Sequence, residues 1–95
     1  MVSHVVLFKF QSPVDVACDE ARRRLLGMRA NVPMLRKIEV GRNVGDDPRA
    51  FDLCLITRFD SMADLDAYRV HPEHQAVVSY LKTVTEKSVV ADYEA

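Results

Sequence analysis

Cysteine is scarce in this chain. Cys18 and Cys54 are the only two in 95 residues, and they form no CxxC pair. That argues against a disulfide scaffold and fits a reducing cytoplasm, where both thiols act as small hydrophobes. Neither has a base beside it in sequence, which argues against a nucleophilic role. Charge of one sign is also lacking, with a formal net charge of −1 and a pI near 6.3. The balance gives no reason to expect nucleic acid or an anionic membrane as partner. The run Arg22-Arg23-Arg24, with Arg29, is offset by Asp15, Asp19 and Glu20 and reads as a solvated helix face. No apolar run approaches the ~20 residues needed to span a bilayer. The start, Met1 to Phe8, has neither a basic n-region nor a small-residue cleavage site, so it reads as a strand and not a signal peptide. Internal repeats, low-complexity tracts and linkers are absent as well.

What is present is ordinary for one globular domain over residues 1–95: 48% apolar and 28% charged residues. Residues 2–10 read as a strand with His4, Val6, Phe8 and Phe10 on one face and Val5 and Leu7 on the other. Both rows are largely apolar, which predicts cover on both sides. Ser12 is expected as N-cap and Pro13 as first residue of a helix. An apolar stripe through Val14, Ala17, Cys18, Ala21, Leu25, Met28 and Val32 extends that helix to Pro33. Residues 36–44 alternate as a half-exposed strand, and Gly45 to Arg49 form a turn. The strand from Phe51 to Phe59 is apolar on both faces and belongs at the centre of a sheet. Ser61-Met62-Ala63-Asp64 is an Asp variant of the capping box. Pro72 breaks the second helix at His71, and Lys87 to Glu94 form the last strand.

The order β-α-β-β-α-β predicts a ferredoxin-like α+β fold with a broken second helix. Two helices cover one face of a four-stranded sheet, yet strands one and three are apolar on both. A second copy laid sheet to sheet is the simplest cover, which predicts a homodimeric α/β barrel.

Groups able to carry protons concentrate in Tyr68-Arg69-Val70-His71-Pro72-Glu73-His74. A neutral imidazole can remove a proton α to a carbonyl while a phenol hydrogen-bonds the oxygen that gains charge. His74 falls in the first turn of the restarted helix, where the dipole disfavours a positive charge. His4 shares a row with Val6 and Phe8, expected to face the barrel interior as a polar point in a ligand cavity. The plainer reading has His71 capping the helix, Tyr68 bonded to a backbone carbonyl and His4 satisfied in the core. A metal held by His71 and His74 with Glu73 or His4 is a further reading. The proline breaks their helical register and ligands are few, so no metal or cofactor is expected.

The strand His4-Val5-Val6-Leu7-Phe8-Lys9-Phe10, the Tyr68-x-x-His71-Pro72-x-His74 element and the closing Asp92-Tyr93 together resemble the stress-responsive dimeric α/β-barrel (Dabb) family. The resemblance spans essentially the whole chain and implies small homodimers of ferredoxin-like subunits. One plant branch, olivetolic acid cyclase, closes a linear polyketide by an intramolecular aldol reaction. By that resemblance His74 is the general base, Tyr68 positions substrate and His4 is a cavity histidine. Leu25 stands where the cyclase has a cavity tyrosine, and Val78 where it has a space-making glycine. Positions expected against a ligand are Val6 and Phe8 on strand one, Leu25 on the first helix and Leu55 on strand three. His71, Val77 and Val78 on the broken helix and Val90 on the last strand complete that set. The expected partner is a small hydrophobic or carbonyl-bearing molecule; the alternatives are a cyclase or proton-transfer enzyme and a structural stress protein.

Overall fold

The two strands that are apolar on both faces lie side by side at the centre of the sheet. A computed structural model describes residues 1–94. Its elements are β1 (Val2–Phe10), α1 (Val14–Gly27), a 3-10 helix (Met28–Ala30), β2 (Lys37–Arg42), β3 (Leu53–Phe59), α2 (Met62–Arg69), α3 (Pro72–Val84) and β4 (Thr85–Glu94). The strand order is β2-β3-β1-β4, with every neighbouring pair antiparallel. This is the ferredoxin-like α+β fold, with the second helix broken as expected.

The register explains the two faces. His4 pairs with Thr57, Val6 with Leu55 and Phe8 with Leu53. This row, extended by Val2, Phe10, Ile38 and Val40, packs under the helices. There it meets Ala17, Cys18, Ala21 and Leu25 of α1, Leu65 and Tyr68 of α2, and Val77 and Leu81 of α3. The opposite face carries Val5 and Leu7, paired with Ile56 and Cys54, and next to them Ala91 and Val89. No helix covers it.

His4, Val6 and Phe8 therefore face the helices and not the interior of a barrel, which corrects the expectation from strand position. An alternation of period two groups residues into rows but does not say which row meets the helices. Bulk decides it here, because Phe8 and Phe10 fill the space beneath the helices and are nearly inaccessible.

Helix ends also differ from expectation. α1 stops at Gly27, the poorest helix former in the stripe, and a 3-10 turn carries Met28 into the core. Pro13 is the N-cap residue, and Ser12 does not cap the helix. Ser61 does cap α2, its Oγ accepting from the Asp64 N–H at 3.2 Å. Val44 lies beyond β2 and is fully exposed. No described helix is long and apolar enough to cross a membrane.

Candidate active site

The end of α2 and the start of α3 place three side chains through local hydrogen bonding. A helix leaves its last carbonyls without partners, and here the Arg69 carbonyl is one of them. His74 Nδ1 lies 3.1 Å from that oxygen, and Gln75 Nε2 donates to it at 3.0 Å. A carbonyl oxygen only accepts, so the His74 proton resides on Nδ1. Its Nε2 keeps a free lone pair, the atom a general base needs. His71 plays a different part: its Nδ1 accepts from the Glu73 N–H at 3.1 Å and caps α3.

Folding α3 back in this way stacks rings. Tyr68 and His74 have centroids 4.2 Å apart, Phe59 packs against the other ring neighbour Tyr68 at 4.9 Å, and His4 approaches Tyr68 edge-on at 6.3 Å. Tyr68 is fully buried, and its hydroxyl has no hydrogen-bond partner among the described residues. Burial pushes its pKa well above the usual phenol range, so it stays protonated as a donor. Burial also lowers the His74 pKa from 6.5, and the nearby His4, Arg69 and His71 act in the same direction. The Arg69 carbonyl opposes them by favouring the protonated ring. Burial, the largest of these effects, therefore favours the neutral ring at pH 7.

His4 is held from behind. Its Nδ1 contacts an Asp92 carboxylate oxygen, while Arg69 donates to the other oxygen of the same carboxylate at 2.9 Å. A carboxylate accepts, so Nδ1 carries the proton and Nε2 is left for the cavity. Strand register makes this contact, since His4 and Asp92 are directly paired between β1 and β4.

These groups open onto a cavity of about 220 Å³ between the sheet and the helices, lined by His4, Tyr68 and His74 together with Val6, Phe8, Leu25, Leu55, Val77 and Val78. Nine of the eleven residues expected from the sequence thus come together. His71 and Val90 are not in the lining: His71 turns to its capping bond, and Val90 is 60% exposed on the edge strand. Leu81, Lys82, Thr85 and Ser88 also line the cavity and were not anticipated. Lys82 was legible in principle, as it continues the stripe His74, Val78, Lys82 at intervals of four. Asp92 acts through a cross-strand register, and Arg69 reaches it from the end of α2; local pattern reveals neither contact. Among the described residues no three His, Cys, Asp or Glu side chains gather closely enough to hold a metal ion.

Comparison with known proteins shows the family of the chain. Residues 2–95 match the stress responsive A/B barrel domain family. An uncharacterized protein of Streptomyces coelicolor is 35% identical over 100 residues, covering 99% of each chain. A dimeric protein of unknown function from Bacteroides fragilis, described as ferredoxin-like, is 30% identical with a TM-score of 0.87, over 99% of this chain and 95% of its own. The hydroxynitrile lyase of Passiflora edulis superposes with a TM-score of 0.84 over 97% of this chain and 90% of its own, at 21% identity, a likeness of fold alone. With its broken second helix, its His-Pro-x-His element and a match from end to end, the chain belongs to the stress responsive A/B barrel domain family.

Proposed function

We propose that the chain is a homodimer in which each subunit's cavity binds a small molecule with an apolar body and a carbonyl group, and that His74 moves a proton on that molecule. The Tyr68 hydroxyl carries this reading: it belongs to a residue that lines the cavity, and it is fully buried with no partner among the described residues. A buried donor without a bond costs about 1–3 kcal/mol. A ligand oxygen in the cavity is the partner that removes the cost.

His74 supports the second half. Its neutral ring presents Nε2 as a base, and abstraction of a proton α to the carbonyl would leave an enolate whose oxygen Tyr68 stabilises. The proton taken by Nε2 returns to carbon or to the enolate oxygen, so the step needs no co-reactant. His4, oriented by Asp92 and Arg69, is a polar positioning group. The cavity is smaller than the ~300–1,000 Å³ typical of drug-sized ligands, so its occupant is narrow in cross-section.

Dimerisation is supported by the bare sheet face of Val5, Leu7, Cys54 and Ile56 and by the dimeric relative from Bacteroides fragilis. A second sheet laid there would close a barrel. Free Cys18 and Cys54 support a cytoplasmic setting.

The test uses 2-nonanone in deuterated water, followed by proton NMR with the native protein and with His74→Ala. Saturable shifts of the ketone signals and faster loss of its α-protons, the latter abolished by the substitution, are expected. Binding without exchange would leave a carrier and remove the catalytic role. Absence of both would overturn the reading.

A further inference from the structure

We infer that Lys82 binds an anionic group at the far end of the cavity, so that the ligand is a slender oxo-carboxylate with its carbonyl at Tyr68 and its carboxylate at Lys82. This rests on the carbonyl-binding reading above and adds the second end of the molecule.

The cavity has two polar ends and an apolar middle. Tyr68, His74 and His4 form one end; Lys82, Thr85 and Ser88 form the other. Between them lie Val6, Leu55, Val77, Val78 and Leu81. Two independent measures give the separation. Along α3, His74, Val78 and Lys82 follow one another at intervals of four on a single stripe, and eight residues of helix rise about 12 Å. Across the sheet, Asp92 is paired with His4 and Ser88 with Phe8, and four residues of strand rise about 13 Å. Helix and sheet thus carry their polar groups at matching distances along the same cavity.

Lys82 is the one cationic residue in the lining. Among the described residues it makes no ion pair, so its exposed ammonium is open to a ligand. Its ammonium offers three donors, and Thr85 and Ser88 line the same cavity with one hydroxyl each. That is the donor set of a carboxylate site. The separation of about 12 Å is a backbone rise, and the long Lys82 stem leans toward the helix N-terminus and shortens it. A ligand with its carboxylate about 9 Å from its carbonyl therefore meets both ends at once.

Lys82 also lies in the last turn of α3, where a cation offsets the helix dipole. That role would appear in stability and not in ligand choice, so the test reads ligand choice. By titration calorimetry, 8-oxononanoate, its methyl ester and 2-nonanone are compared on the native protein and on Lys82→Met, which keeps the apolar stem. The native protein should prefer the acid over the ester by about fivefold, the size of a partly exposed charge contact. Lys82→Met should bind the two equally and keep its affinity for the ester. Equal binding of acid and ester by the native protein, or a preference that survives in Lys82→Met, overturns the inference while leaving the carbonyl site in place. Failure of all three compounds to bind overturns both.

Discussion

The rings of Tyr68 and His74 lie 4.2 Å apart, centroid to centroid, with a 43° tilt. They meet because Pro72 ends one helix and begins the next, so that the first turn of α3 folds over the last turn of α2. Two bonds to the Arg69 carbonyl hold the turn closed. Both side chains thereby line one cavity.

Tyr68→Phe separates stability from binding. The hydroxyl is buried without a partner, so its removal relieves a cost of about 1–3 kcal/mol and leaves the ring packing intact. The melting temperature of the ligand-free protein should rise, while affinity for 2-nonanone falls about five- to tenfold through loss of one hydrogen bond. Thermal unfolding and calorimetry on the same samples check both. A lower melting temperature would mean that the hydroxyl already has a partner.

His74 should titrate below 6.5, the ordinary value from which burial lowers it. In the unfolded chain the ring recovers that value, so protonation favours unfolding. The penalty is absent above pH 6.5 and grows as pH falls through the window beneath it. The same titration removes the base, so ketone exchange should decline over that acidic window. Ring-proton NMR across the range reads the midpoint directly; a value at or above 6.5 contradicts the burial argument.

Asp92 is a positioning residue, acting on the cavity through His4. Asp92→Ala should cost about 1–3 kcal/mol in stability, because it leaves the buried His4 ring nitrogen without its partner, while its partly exposed pair with Arg69 adds little. Its sharper effect falls on the His4 ring. Nitrogen-15 NMR should find the proton on Nδ1 in the native protein and a mixture of tautomers in Asp92→Ala, with Asp92→Glu restoring the first. An unchanged tautomer in Asp92→Ala would remove the positioning role.

Ile56→Lys should split the homodimer. Ile56 lies on the bare face opposite Val5, and a charge there would be buried unpaired if two sheets met. Light scattering should give about 21.6 kDa for the native protein, twice the chain mass of 10.8 kDa, and the single-chain mass for the variant. The cavity lies on the other side of the sheet, so ketone binding should persist unless dimer closure also orders the helices. A native protein that runs as a monomer ends the barrel reading.

How much of this was legible follows from what local pattern encodes. The double-sided apolar strands announced β1 and β3 as central, and Pro72 announced the helix break, because both signals lie within a few residues. The choice of face for His4 did not lie there. Rows of Val5 with Leu7 and of His4 with Phe8 are similarly apolar, and only the packing of Phe8 and Phe10 under the helices settles which goes where. Asp92 and His4 are 88 residues apart and meet through strand register. Nothing in the neighbourhood of either residue distinguishes Asp92 from a solvated strand position. His71 shows the converse: it stands in the most reactive-looking stretch, yet its ring nitrogen serves a helix cap.

Val78 controls the room beside His74, one turn further along the same stripe of α3. Val78→Ala removes methyl groups that are half-buried against the cavity. Each fully buried methylene is worth about 0.8 kcal/mol, and here the methyl groups already face open space on one side, so the loss is smaller. Alanine also suits a helix better than valine by about 0.5 kcal/mol. The two effects oppose each other, and net stability should change by less than about 1 kcal/mol. The cavity should widen between its two polar ends. A ketone branched near its middle, such as 5-methyl-2-nonanone, should then bind the variant more tightly than the native protein, while 2-nonanone loses a little affinity. Calorimetry with the two ketones reads the difference. Equal discrimination by both proteins would place the ligand's middle away from Val78 and move the chain's path toward Leu25 and Phe8.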